Sequence, residues 1–277
     1  MALKLMYITN NPTIAAVAQE CGVDRIFLDM EYIGKEERQY GMNTVKSHHT
    51  VEDVRKIGGL LHDSELLVRV NPIHEKTRDY RSSEEEIEEV LRAGADILML
   101  PMVKTVKEAE RFVHTVDGRA KTMLLIETAE ANETIDDLLQ VDGLDEIHIG
   151  LNDMHLAYRK RFMFELLIDG TVDRLCEKIS KKGLPYGFGG IARLGYGMIP
   201  AEKIITEHYR LGSTRAILSR SFCNAEDIKN MDELKALFRF ETSRIRDFER
   251  TVATLNQEKL RENHEEVARL VAKIVNG

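Results

Sequence analysis

The feature that most constrains this chain is a repeated alternation of two hydrophobic periods. Eight apolar runs of strand length lie at 3–8, 25–29, 66–70, 96–100, 122–126, 146–150, 185–189 and 214–218. Their apolar residues are continuous rather than alternating, which suits strands buried on both faces. Between them lie helical patterns near 12–21, 50–62, 84–93, 105–116, 131–140, 162–182 and 201–211. Val51, Val54, Ile57, Leu60 and Leu61 show the spacing of one buried helical face. Boundary signals agree with these limits. Ser82 and Ser83 precede a glutamate-rich first turn, Gly94 and Gly183 follow helical runs, and Pro200 precedes one. Strict strand-then-helix order predicts a parallel sheet, and eight such units predict a closed (β/α)8 TIM barrel. An open doubly wound sheet is the alternative, but no glycine-rich fingerprint follows the first strand.

Helical patterning continues past the eighth strand, near 230–249 and 256–275. The expected organisation is therefore a barrel core over 1–225 and a C-terminal helical extension over 226–277. Leu255, Leu260, Val267, Leu270, Val271 and Ile274 form an apolar stripe on the last helix that needs a covering surface. The expectation is that these helices close the barrel and pack on a neighbouring subunit, making a homo-oligomer. Lys and Arg number 39 against 47 Asp and Glu, a net charge of −8, which argues against nucleic acid or an anionic membrane as partner. No apolar run approaches the roughly 20 residues of a membrane span. Cys21, Cys176 and Cys223 are far apart, with neither a disulfide framework nor zinc spacing. With no apolar leader at the N-terminus, a cytoplasmic enzyme or binding protein is expected.

In such a barrel the chemistry sits at the C-terminal ends of the strands. The second strand ends in Asp29-Met30-Glu31, two acids that are costly beside an apolar strand unless paired or used. The third ends in Arg69-Val70-Asn71, and an arginine fork suits a carboxylate or phosphate. The fifth ends at Glu127 and the sixth runs into Gly150-Leu151-Asn152-Asp153. Adjacent strands would aim the Glu127 and Asp153 carboxylates into one mouth. Two oxygen ligands, with water and substrate completing the shell, suit Mg²⁺ or Mn²⁺. The bland alternative is that each acid pairs with an arginine or caps a helix. The seventh strand ends in Gly189-Gly190, where a ligand can approach the backbone.

Taken in order, Leu28-Asp29-Met30-Glu31, Arg69-Val70-Asn71, Gly94-Ala95-Asp96 through Leu100-Pro101-Met102-Val103, Ile126-Glu127-Thr128-Ala129 and Ile149-Gly150-Leu151-Asn152-Asp153 resemble the HpcH/HpaI aldolase and citrate lyase family. The resemblance covers roughly residues 1–222. It implies a divalent-metal-dependent aldolase or lyase acting on a 2-oxo acid such as pyruvate or oxaloacetate. Glu127 and Asp153 match the family's metal-binding acids, Arg69 the arginine at the reacting oxygen, and Asp29 an acid of the proton-transfer dyad. The backbone at Gly150, Leu151 and Asn152 would lie against the substrate carboxylate. The co-substrate would be an aldehyde or a CoA thioester.

Two positions depart from the family pattern. Aldolases of this type carry His directly after the second acid, where this chain has Tyr32. A tyrosine with an ordinary pKa near 10 is a poor base at neutral pH. Leu125 stands where sugar-acid aldolases often have Gln. The metal half of the site thus matches, and the acid–base half, built on Asp29, Glu31 and Tyr32, is altered. His48 and His49, on the long loop after the second strand, are candidates for the missing imidazole, as are His155 and His74. The alternatives are a citrate-synthase-like condensation, a citryl-CoA-type lyase, or a catalytically silent barrel that binds an oxo acid. Arg159-Lys160-Arg161 reads as a surface turn rather than a phosphate site.

Overall fold

The computed structural model describes residues 2–277 except 36–48, 220–221, 224, 226–227 and 229. Eight described strands are present: β1 (Lys4–Ile8), β2 (Arg25–Asp29), β3 (Glu65–Arg69), β4 (Ile97–Leu100), β5 (Lys121–Ile126), β6 (Glu146–Ile149), β7 (Tyr186–Ile191) and β8 (Arg215–Leu218). They close into one barrel in chain order, each pair parallel. Around the barrel lie α1 (Pro12–Glu20), α2 (Val51–Gly58), α3 (Ser83–Arg92), α4 (Val106–Val116), α5 (Ala129–Glu133), α6 (Ile135–Leu138), α7 (Leu151–Ala157), α8 (Glu165–Ile168), α9 (Thr171–Lys182) and α10 (Ala201–Arg210). Capping boxes at Thr50, Ser82 and Thr105 start α2, α3 and α4.

The barrel interior is layered, because alternate residues of each strand point inward. In β2 these are Arg25, Phe27 and Asp29, in register with Glu65, Leu67 and Arg69 of β3. The middle layer is apolar: Met6, Phe27, Leu67, Ile97, Met99, Met123 and Leu125, with Ile217 against them. At the N-terminal ends lies an ionic layer. Arg25 is fully buried and donates to both Glu146 oxygens at 2.7 Å and to Glu65 at 2.8 Å. Arg215 donates to the same Glu146 carboxylate at 2.9 and 3.0 Å. Such charges are tolerated in an interior only when paired with this geometry. At the C-terminal ends stand Asp29, Arg69 and, one residue past β5, Glu127.

Two helical expectations are revised and one helix is added. The stretch near 131–140 is two short helices, α5 and α6, which meet at Thr134. The stretch near 162–182 breaks at Gly170, whose φ of 83° is left-handed. A short helix, α7, follows β6 directly and carries Asp153 in its first turn.

The C-terminal extension is α11 (Met231–Val252) and α12 (Gln257–Asn276). α11 packs on α1, and α12 packs on α10 and α8. Leu260, Val267 and Val271 are buried within the chain, and Leu255, Leu270 and Ile274 are partly covered. The chain's own helices therefore cover part of this stripe. Buried Glu207 of α10 pins α12 by accepting from Asn263 Nδ2 at 2.9 Å and lying 2.9 Å from His264 Nδ1. The basic turn serves structure too: Arg161 donates to the Val275 carbonyl at 3.1 Å, and Lys160 pairs with Asp169 at 2.6 Å. No described helix is long and apolar enough to cross a membrane.

Candidate active site

Register brings the first pair of site residues together. Asp29 and Arg69 are partners across β2 and β3. Arg69 donates from Nε to Asp29 Oδ1 and from Nη2 to Oδ2, both at 2.8 Å, a bidentate fork. Its Nη1 lies 3.3 Å from Glu31 Oε2. Burial opposes ionisation of Asp29, but Arg69 and then Lys35 outweigh it and hold this carboxyl well below the usual carboxylate range. Asp29 is thus a permanent anion with both oxygens occupied. In this state it anchors the two cations beside it.

Lys35 is the residue that sequence reasoning missed. Its Nζ donates to Asp29 Oδ2 at 2.6 Å and lies 3.8 Å from Glu31 Oε2, and the residue is only 4% exposed. The turn that brings it here is built. Asn71 Oδ1 accepts from the Tyr32 and Ile33 backbone N–H groups at 2.9 and 3.0 Å. Glu86 in turn accepts from the Asn71 backbone and side chain at 3.1 and 2.9 Å. Gly34, at φ 71°, turns the chain back so that Lys35 enters the mouth. The available signal was a glycine followed by a lysine six residues after a strand-end acid.

Glu127 and Asp153 form the second half. Glu127 Oε1 accepts from the Met102 backbone N–H at 3.0 Å. Burial, followed by the charge of Asp153, pushes the Glu127 carboxyl up to about 8 against the pull of Arg69. Asp153 Oδ1 is buried with no hydrogen-bond partner among the described residues. Gly150 has no side chain because a Cβ there would meet Glu127 Cβ and Oε2 at 2.8 Å.

These residues fit a divalent cation. A buried carboxylate oxygen without a donor beside a second carboxyl driven toward its neutral form is a site short of positive charge. Among the described residues, Asp29, Glu31, Glu127 and Asp153 stand with Arg69 and Lys35, four carboxyl groups to two cations. Among the described residues no three His, Cys, Asp or Glu side chains form a closed metal cluster. The fit is therefore to an open site with two protein carboxylates.

The remaining expected residues divide. Tyr32 is 47% exposed, with its ring centroid 5.5 Å from that of Tyr80, and burial followed by Glu86 raises its hydroxyl pKa further. His48 lies outside the described residues, with most of its loop. His49 Nδ1 accepts the Asp29 backbone N–H at 2.9 Å, so that nitrogen is committed. His74 sits between the Pro72 and Arg81 carbonyls, at 2.7 and 2.8 Å. His155 is buried with Nδ1 against the Leu151 carbonyl at 3.3 Å, two residues round α7 from Asp153. Leu151 is buried and Asn152 is exposed, so their contribution to a ligand would come through the backbone.

No curated protein matches the sequence. Solved structures share the fold. An HpcH/HpaI aldolase from Desulfitobacterium hafniense superposes with a TM-score of 0.61 at 15% identity, covering 79% of this chain and 86% of its own. The citrate synthase SbnG gives 0.60 at 16% identity over 88% and 94%. A citrate lyase from Burkholderia xenovorans gives 0.59 at 16% identity over 99% and 93%. The family model described as HpcH/HpaI aldolase/citrate lyase matches residues 4–161, more than half of the sequence and all the strand ends that carry the site through Asp153. The chain belongs to the HpcH/HpaI aldolase/citrate lyase family.

Proposed function

We propose that this protein is a carbon–carbon lyase or aldolase of 2-oxo acids that works through an enolate, with Mg²⁺ or Mn²⁺ held by Glu127 and Asp153. The observation that carries the reading is the buried, donorless Asp153 Oδ1 beside a Glu127 carboxyl pushed up to about 8. The cation would supply Lewis acidity toward the carboxylate and keto oxygens of a 2-oxo acid. Arg69 presents fixed positive charge to the keto oxygen as it becomes an enolate oxygen. Asp29 orients that guanidinium through two hydrogen bonds of 2.8 Å, so little reorganisation accompanies charge development. The backbone at Gly150, Leu151 and Asn152 offers the substrate carboxylate an approach free of side chain at Gly150. The electrophile is an aldehyde or a CoA thioester; a citrate-type condensation would use the same enolate. Further proposals follow the expected organisation: a barrel core over 1–225, helices over 226–277, a cytoplasmic homo-oligomer.

The test is exchange of the pyruvate methyl protons in D₂O, followed by NMR with Mg²⁺, Mn²⁺ or EDTA. Metal-dependent exchange is expected, and Glu127→Ala should lower it by about a hundredfold or more with the fold retained. No exchange with metal bound and the protein folded would overturn the reading in favour of a silent oxo-acid binder.

A further inference from the structure

The proposed reaction needs a proton at one more place than Arg69 and a metal ion supply. Joining an enolate carbon to an aldehyde turns the aldehyde oxygen into an alkoxide, which must be protonated; cleavage must remove that proton again. The imidazole expected for this task is replaced by Tyr32, which lies half-exposed against Tyr80. Two of the described substitute imidazoles are occupied: His49 Nδ1 by the Asp29 N–H, and His74 by two carbonyl groups. His155 lies two residues round α7 from Asp153, its Nδ1 against the Leu151 carbonyl. His148 points into the barrel and contacts the Gly189 carbonyl at 3.2 Å. Asp29 has both oxygens engaged.

Lys35 is different. An ammonium has three donors. Asp29 takes one, at 2.6 Å, and Glu31 stands at 3.8 Å, outside hydrogen-bond distance. The side chain is 6% exposed, yet it shares the Asp29 carboxylate with Arg69, whose side chain is 15% exposed and faces the mouth. The cost of burying a lysine is offset by two acids and by a turn that Asn71 and Glu86 hold in place. A surface lysine would require none of this.

We propose that Lys35 is the proton donor of this site: its buried ammonium gives a proton to the alkoxide formed in condensation. This rests on the enolate reading above. In condensation, C3 of the pyruvate enolate attacks the aldehyde carbon and the C3–C4 bond forms. The carbonyl π pair moves onto oxygen, which takes a proton from Lys35 Nζ. The neutral amine stays hydrogen-bonded to Asp29 and regains a proton from water. Cleavage runs the same steps backwards: the ammonium first gives a proton to water, the amine takes the C4 hydroxyl proton, the C–O double bond re-forms, and the C3–C4 electron pair returns to the enolate.

Two reactions separate this role from the enolate chemistry itself. Oxaloacetate decarboxylation generates the enolate but moves no hydroxyl proton, whereas aldol condensation of pyruvate with glyoxylate, and its reverse, needs one. Lys35→Met is expected to lower aldol turnover about a thousandfold and decarboxylation only about tenfold. Lys35→Arg keeps the charge and the Asp29 bond but not a readily released proton, and should show the same hundredfold divergence in a folded protein. Equal loss of both reactions in Lys35→Arg, or aldol turnover within threefold of wild type, would overturn the role while leaving the enolate reading standing. Wild-type decarboxylation without any aldol turnover would also overturn it. Absence of both reactions in the wild-type protein would overturn the enolate reading and this proposal with it.

Discussion

At the residue scale, the Glu127 carboxylate is aimed by two backbone devices. Met102 adopts a left-handed conformation, φ 53°, and presents its N–H to Oε1 at 3.0 Å. A side chain larger than glycine in that region costs about 1 kcal/mol or more, which is spent on direction rather than stability. Gly150 has an ordinary φ of −85°, so its lack of a side chain serves space and not conformation. An added methyl would sit 2.8 Å from Glu127 Cβ and Oε2. Gly150→Ala should therefore leave the melting temperature within a few degrees of wild type while lowering pyruvate exchange at least tenfold. A variant with full exchange activity would show that Glu127 need not hold this position. The polar layout at this scale was partly open to sequence reasoning. Asp29, Arg69 and Glu127 follow apolar strands by one rule of barrel geometry. Lys35 follows no strand and is brought back only by a turn.

At the element scale, the informative structure is the C-terminal pair of helices. α12 covers α10 and α8, and Val267 and Val271 are fully buried there. It also supplies Asn263 and His264 to Glu207, a carboxylate with no exposed surface. Removing residues 257–277 would expose apolar side chains worth about 1.5–3 kcal/mol each and leave Glu207 with Arg210 as its main partner. The truncated chain should melt at least ten degrees lower and bind hydrophobic dye; an unchanged thermal transition would show that α12 is dispensable for folding. The apolar stripe is plain in the sequence. Which surface covers it is not, since any apolar face of suitable length satisfies the same periodicity.

At the scale of the whole molecule, stability should depend on pH through groups that the barrel buries uncharged. Burial lowers His148 to about 4, and burial with His148 nearby lowers His208 to about 3. The unfolded chain, with histidines near 6.5, takes up these two protons first. Their stabilisation is therefore complete above about pH 6.5 and is lost as pH falls toward the folded values. Glu127, raised to about 8 by burial and then Asp153, acts in the opposite sense and retains one proton in the folded state between about 4.5 and 8. Glu86, which burial also raises, acts with Glu127, so two histidine protons stand against two carboxyl protons. The urea midpoint of metal-free Glu127→Gln, which lacks one opposing proton, should therefore fall more steeply between about pH 6.5 and 4.5 than that of the metal-free wild type, and equal slopes would remove this linkage. The alternation of short apolar runs and helical stretches was sufficient by itself to determine the barrel, its strand limits within a residue or two, and the strand-end acids and arginine. Those follow from local periods that a one-dimensional pattern records. Tertiary structure decided what depends on closure. Arg25, Glu65, Glu146 and Arg215 begin four strands separated by long stretches of chain, and only a closed barrel makes them one ionic layer. The bond between Lys35 and Asp29, and the covering of α12 by α10, likewise arise from where the chain returns in space.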